Sequence, residues 1–268
     1  MTNFSKTYPT DLKYSEWLLI AKFFPTYRRG RPCKWARWQI VNAILYVTRT
    51  GCQWRMLPKE YPPWQTVYGY FRRWTRSGVW YRLNAALVAQ VRSKQGREAQ
   101  PSAAIIDSQS VKTSEGGEQR GVDVHKQTPG RKRHIVVDTL GLLLIVMVHS
   151  ASIQDGAGGK LVLQKLFALI KHSVYNRYCR LKLLWADAAY DSLREYVRKE
   201  FGWKLEIVRR LEGVKGFKVL AHRWIVERTF GWLGRYRRLA RDYEHTVASS
   251  EAMTYIASIR RMLKLATN

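Results

Sequence analysis

Three apolar runs in this chain end in a carboxylate: Ile105-Ile106-Asp107-Ser108, Trp185-Ala186-Asp187-Ala188-Ala189-Tyr190 and Trp224-Ile225-Val226-Glu227-Arg228. An acid at the edge of an apolar element loses hydration unless a cation relieves it, and a divalent metal is the natural candidate. The acids stand out because they are scarce: 47 Lys and Arg face 20 Asp and Glu, a formal net charge of +27 over 268 residues. Self-repulsion on that scale opposes compaction unless a polyanion offsets it, and nucleic acid is the usual polyanion. A ribosomal or architectural protein would be the bland alternative. Against it, 46% apolar and 13% aromatic residues suffice for a sizeable core, in one large domain or two ordinary ones.

Residues 1 to 10 lack a charged segment followed by an apolar one, and the longest apolar run, Leu140 to Val148, is too short to span a bilayer. A soluble protein of the cytoplasm, associated with the nucleoid, is therefore expected. Cys33, Cys52 and Cys179 are scattered and odd in number, which indicates neither a disulfide framework nor a zinc site.

Residues 1–95 read as helical. Ser15-Glu16 before Trp17 to Ala21 resembles a capped helix closed by Pro25, and the basic loop Arg28 to Pro32 leads to a second helix with Trp38, Val41, Leu45 and Ile40, Ile44, Val47 at helical spacing. A third carries Val67, Phe71 and Trp74 on one face, with Arg72 and Arg73 on others, and a fourth runs from about Val79 to Arg92. A helix pair with a basic second member is similar to a helix-turn-helix module, whose later helix would enter a DNA groove. The polar stretch Ser93 to Ser102 marks a boundary.

Residues 100–268 read as α/β. Ala103 to Asp107 is a short buried-strand pattern, followed by a loop over Val111 to Arg131. His134 to Asp138 and Leu142 to Val148, joined by Thr139-Leu140-Gly141, signal a hairpin. Helical periodicity covers Leu161 to His172, and Leu181 to Asp187 is a strand ending in an acid. Ser192 to Lys199 suits a helix, Leu205 to Val208 a strand, Ala221 to Tyr236 a long helix and Ser250 to Leu265 an amphipathic one. This order predicts a ribonuclease H-like catalytic domain, a mixed sheet flanked by helices, preceded by an all-helical DNA-binding domain. In it the first and fourth strands are neighbours, so Asp107 and Asp187 would converge, with Glu227 completing the cluster from its helix.

The segments Ile106 to Lys112, Gly130 to Asp138, Ala186 to Asp191 and Arg223 to Leu233 resemble the DDE transposases of bacterial insertion sequences, specifically the insertion sequence five group of the four/five superfamily. The likeness extends to Glu16-Trp17, Gly30-Arg31-Pro32 and Gly51 to Arg55. It implies that Asp107, Asp187 and Glu227 form a catalytic triad on two magnesium ions, with manganese as a substitute, because phosphodiester cleavage needs an activated nucleophile and a stabilised leaving oxygen. It implies a DNA transposase that binds the terminal inverted repeats of its element, cleaves the ends and joins them to target DNA, with a homodimer on DNA for synapsis. Arg223, one helical turn before Glu227, carries over as a further site residue. Leu220 stands where the family has Tyr, and Gly234 where it has Lys, with Arg235 adjacent.

Basic residues expected on DNA are Arg72, Arg73, Arg131, Lys132, Arg133, Arg228, Arg235, Arg237 and Arg238, each with a solvated-face alternative. Asp138 reads as a turn residue, Asp155 as a loop residue and Asp191 as a helix cap, while Asp123 and His125 read as parts of a flexible loop. A ribonuclease H-like nuclease that cuts without joining, and a non-catalytic DNA-binding repressor derived from a transposase, stay open at this level.

Overall fold

The computed structural model describes residues 4, 6–25, 34–114, 116–171, 178–209 and 222–267. The basic loop at 28–32, Cys33 and Leu220 lie outside them. Two of the acid-ended runs form the centre of a six-stranded mixed sheet, and the third lies on a helix. Its strands are β1 (Ala103–Lys112), β2 (Gly121–Asp123), β3 (Thr128–Asp138), β4 (Leu143–Ser150), β5 (Leu183–Ala186) and β6 (Lys204–Ile207). β1 pairs with β3 antiparallel and with β5 parallel, and β6 continues the parallel side. β4 and the short β2 both pair with β3. The hairpin signal is met by β3–β4, with an irregularity between Val136 and Val137. β1 runs on to Lys112 and β2 and β3 occupy much of the expected 111–131 loop, because Gln109 to Lys112 find ladder partners in Gly130 to Arg133.

Four helices precede the sheet: α1 (Tyr14–Ile20), α2 (Arg37–Thr50), α3 (Trp64–Arg76) and α4 (Val79–Lys94). The others are α5 (Asp155–Lys171), α6 (Arg194–Phe201), α7 (Arg223–Gly234), the single turn α8 (Arg237–Ala240) and α9 (Val247–Thr267). α9 is apolar or small nearly all round and is buried from Ser250 to Leu263, as a helix surrounded by other elements must be. It packs on α4, β4 and α2, so helices α1–α4 and the sheet share one apolar core. A buried ion pair reinforces the join: Arg260 of α9 donates to Glu16 of α1 at 2.6 Å. Phe24, Trp74 and Trp80 cluster within the same core. Among the described residues no helix is long and apolar enough to cross a membrane.

α5 begins at Asp155, six residues before the apolar periodicity that predicted it. Its first turns are Gly-rich for a steric reason. A Cβ on Gly158 would lie 2.5 Å from both His134 and His149, and one on Gly159 would lie 2.6 Å from the Tyr190 ring. His134 and His149 stack in the interior, with Nδ1 of His134 2.8 Å from Nε2 of His149. Nδ1 of His149 faces the Ser150 carbonyl at 2.8 Å, which can only accept, so Nε2 of His149 accepts and His134 Nδ1 donates. Burial, and then the neighbouring His149, hold the His134 pKa down to about 3.

Gly158→Ala is expected to destabilise the protein by about 1–3 kcal/mol, since α5 must lift off its histidines. Gly231→Ala, where an added Cβ meets nothing within 4 Å, should instead gain up to about 1 kcal/mol of helix propensity; urea midpoints check both. The histidine pair gives a pH signature. Unfolding releases His134 to protonate near pH 6.5, so the stability of its neutral form is complete above that pH and is lost as pH falls toward 3. His134→Asn should lower the pH dependence of unfolding free energy between pH 6.5 and 5 by up to about 1.4 kcal/mol per unit; an unchanged slope would contradict the burial of a neutral ring.

Candidate active site

Two neighbouring parallel strands decide where the acids stand. β1 and β5 pair Ala103 with Leu183, Ala104 with Leu184 and Ile105 with Trp185. Carried on in the same register, Asp107 comes opposite Asp187, on chains that lie about 4.8 Å apart in a sheet. Oδ1 of Asp107 accepts the Ser108 amide at 2.7 Å. Asp187 follows the last residue of β5 and caps the 3-10 turn Ala188–Leu193, its Oδ1 accepting the Ala189 amide at 3.0 Å. Among the described residues the second oxygen of each carboxylate has no hydrogen-bond partner. Burial raises the Asp107 pKa and the Asp187 charge adds to it. The Ser108 amide, Arg223 and Lys126 oppose them, and the balance lies at about 6.

α7 packs on β1 and brings the third acid. Arg223, in its first turn, acts electrostatically on Asp107 and donates from Nη2 to Oε1 of Glu227 at 3.2 Å. Glu227 is thus joined to the acid pair through a guanidinium. Among the described residues no three His, Cys, Asp or Glu side chains stand close enough together to hold one metal ion. The pair itself suits one: two hard oxygen donors, each with an oxygen to spare, whose burial and mutual repulsion a divalent cation would relieve.

The opposite face of β1 carries a polar network that sequence reasoning missed. Ser108 Oγ donates to Asp155 at 2.8 Å and Ser110 Oγ to Asp123 at 2.5 Å. Lys132 Nζ bridges the two acids at 2.8 and 3.3 Å. Burial pulls the Asp123 pKa up, but Ser110, the Lys126 amide and Lys132 outweigh it and hold it near 2. Asp123 is therefore a buried strand residue rather than part of a flexible loop, and Asp155 opens a helix rather than sitting in a loop. His125 is exposed in the turn that follows β2. Asp138 holds the hairpin turn, accepting the Leu140 and Leu142 amides and pairing with Arg92. Asp191 does not cap α6; it pairs with Arg194 at 2.5 Å and Arg209 at 2.9 Å, and the cap is Asp187's.

The basic residues divide sharply. Arg131, Lys132 and Arg133 are 0%, 3% and 2% exposed. Arg131 donates to the Glu118, Glu244 and His245 carbonyls and pairs with Asp242, and Arg133 donates to the Leu239 carbonyl. Arg238 is buried against Glu244 at 2.7 Å. These four, expected on DNA, are turned inward: the three on β3 because both of its faces are covered, by α5 on one side and by the segment after α7 on the other, and Arg238 of α8 because it folds back on Glu244. Arg72, Arg73, Arg235 and Arg237 are exposed, and Arg228 is half-buried between Trp224 and Trp232, 4.3 and 4.5 Å from their ring centroids. Cys52 and Cys179 are free thiols.

A mixed sheet with acids in register on its central parallel strands, an antiparallel hairpin beside them and a third acid on a following helix defines a ribonuclease H-like domain. Family comparison narrows the class. A family model described as "Transposase DDE domain" matches residues 98–261, and one assigned to transposases of the IS4/5 family matches residues 12–84. The chain belongs to the DDE-domain transposases of the IS4/5 type. Such domains use divalent metal ions and act on DNA. Among curated relatives, "Insertion element IS402 uncharacterized 16.2 kDa protein" of Burkholderia cepacia is 32% identical over 130 residues, 46% of this chain and 84% of that protein. A protein assigned as the transposase of the same element is 32% identical over 117 residues, 43% of this chain and 54% of that protein. Among solved structures, the crystal structure of a pre-cleavage Mos1 transpososome aligns over 90% of this chain and 80% of that chain. At 11% identity and a TM-score of 0.31 that likeness carries no argument.

Arg131→Met strands Asp242 and a set of carbonyls in the interior, and should cost on the order of 3–5 kcal/mol. Arg237→Gln, at an exposed position, should leave stability within about 0.5 kcal/mol. Thermal melts of the two variants separate the inward arginines from the outward ones.

Proposed function

We propose that this protein is a magnesium-dependent transposase that binds the terminal inverted repeats of its element, hydrolyses the DNA ends and joins them to target DNA. The observation that carries this reading is the β1–β5 register, which carries Asp107 of β1 and Asp187, the residue after β5, opposite one another, with the Asp107 pKa raised to about 6 by burial and then by Asp187. Asp107, Asp187 and Glu227 would hold two Mg2+ ions, with Mn2+ able to replace them. Bound there, the ions supply Lewis-acid stabilisation and an activated hydroxyl nucleophile.

The chain's own residues prepare that chemistry. The Ser108 and Ala189 amides fix one oxygen of each aspartate and so orient the other. Arg223 neutralises part of the acid cluster and holds Glu227 one turn away; an arriving phosphate gives Arg223 a competing anion, and Glu227 is then released toward the pair. Arg72 and Arg73 of α3, with Arg228, Arg235 and Arg237 at and beyond α7, are the proposed DNA contacts. Residues 1–95 would act as the helix-turn-helix-like DNA-binding part and residues 100–268 as the catalytic part, a division supported by the gap between the two family matches. Two ends held together call for a homodimer on DNA, working in the cytoplasm on nucleoid DNA.

Purified protein with Mg2+ and a labelled duplex carrying the element end tests this. Wild type should cleave at the end and form joined products, and Asp187→Asn should lose at least about a hundredfold in rate while still binding the duplex. Cleavage without joining would identify a plain nuclease. Binding without cleavage by either protein would leave a repressor and overturn the catalytic assignment.

A further inference from the structure

At the seam between the first helices and the catalytic part, α2, α7 and α9 enclose a cleft of about 580 Å3. Arg49, Arg235, Arg261 and Lys264 line it, and among the described residues no Asp or Glu does. Arg260 also reaches the cleft but is matched to Glu16; among the described residues the other four cations have no ion-pair partner. Arg49, Arg235 and Lys264 are exposed and Arg261 is half-buried, and four cations that face one concavity with no carboxylate among its described lining residues suit an external anion.

The aromatic lining specifies the anion further. The Arg261 guanidinium lies 3.3 Å from the Trp232 ring centroid, and that of Arg49 lies 5.2 Å from the Tyr236 centroid. Stacking fixes the plane of a guanidinium while leaving its N–H edges free, the arrangement suited to bidentate contact with phosphate oxygens. Arg49 uses one N–H on the Arg235 carbonyl, at 2.7 Å, which steadies it at the rim. Burial and then the nearby charge of Arg228 push the Arg261 pKa down to about 10, outweighing the opposing pull of Asp138 and Tyr236. The volume is on the scale of an enclosed small ligand rather than of the broad face a duplex covers.

We infer that this cleft binds the phosphodiester backbone of a short unpaired DNA segment, with phosphates on Arg49, Arg235, Arg261 and Lys264. The assignment rests on the DNA reading above and extends it. The cleft lies at the C-terminal end of α7, whose first turns carry Arg223 and Glu227. A strand held there is therefore led away from the acid pair along the same helix.

The test is fluorescence anisotropy with a short labelled oligothymidylate in the absence of divalent metal, over a range of salt. Arg49→Gln with Lys264→Gln, both exposed positions, should raise Kd about tenfold and lower the slope of log K against log salt by about 1.4, two phosphate contacts' worth. Arg261→Lys keeps the charge but loses the stacked fork, so it should weaken binding at least about threefold with the slope nearly unchanged. A control pair, Arg198→Gln with Lys182→Gln, removes two exposed cations far from the cleft. Equal losses in the control and cleft pairs, or no loss in the cleft pair while its thermal melt stays wild-type, would overturn the cleft assignment. If wild type holds its duplex end but not the single strand, the cleft assignment alone fails. If wild type binds neither, the DNA reading itself fails.

Discussion

The parallel pairing of β1 with β5 is the constraint on which the site depends. Parallel ladders have no freedom to slide once both faces are buried, because a shift of one residue would turn every inward side chain outward. Ala104, Ile105, Leu184 and Ala186 are all buried, so the register is held by the core. The acids inherit their positions from it: Asp107 and Asp187 are the residues at which that register carries the chains out of the apolar layer. Burial opposes charge there, and it prevails far enough to leave one carboxylate half-protonated near pH 6. The apolar layer thus creates a need that a cation bound there would satisfy.

The distribution of charge follows a second rule. Acidic groups are scarce, and a large share of them serve as counterions to buried cations: Asp138 to Arg92, Asp242 to Arg131, Glu244 to Arg238, Glu16 to Arg260, and Asp123 and Asp155 to Lys132. Such pairs add modest net stability but are costly to break singly. Their wider effect is on the surface, which keeps most of the unmatched lysine and arginine. The exposed potential is therefore more positive than an even spread of the same residues would produce, and it reaches DNA over roughly a Debye length.

The strands, the acid-ended runs and the helical order were legible in sequence because burial dictates them one residue at a time. The apolar positions of β1, β4 and β5 and the stripes of α2 and α3 needed no tertiary knowledge. Arg131-Lys132-Arg133 shows where such reading stops. A basic triplet resembles a solvated patch, and strand alternation sends two of its members one way and one the other; only the presence of cover on both faces makes all three interior. The glycines of α5 read as loop for a similar reason, since low helix propensity is local and the need to approach His134, His149 and Tyr190 is not. Asp191 reads as a helix cap, yet α6 has no side-chain cap; Asp187 instead caps the 3-10 turn before it, because a carboxylate ending a strand is already placed to receive the amides of the next turn. Of the triad, the Asp107–Asp187 proximity followed from strand order, whereas the pairing of Glu227 with Arg223 depends on side-chain conformations that spacing alone does not settle.

The long-range closure of the core has a consequence for biosynthesis. Glu16 and its partner Arg260 are 244 residues apart, and α1, α2 and α4 all pack against α9, α4 most extensively. During translation the first helices must wait, uncovered, until almost the last helix of this core leaves the ribosome. High separation between contacting segments slows folding and prolongs exposure of apolar surface. A chain interrupted before α9 would lack that cover, above all for α4. A fragment that stops short of α9 would therefore leave the apolar faces of its leading helices open to other surfaces.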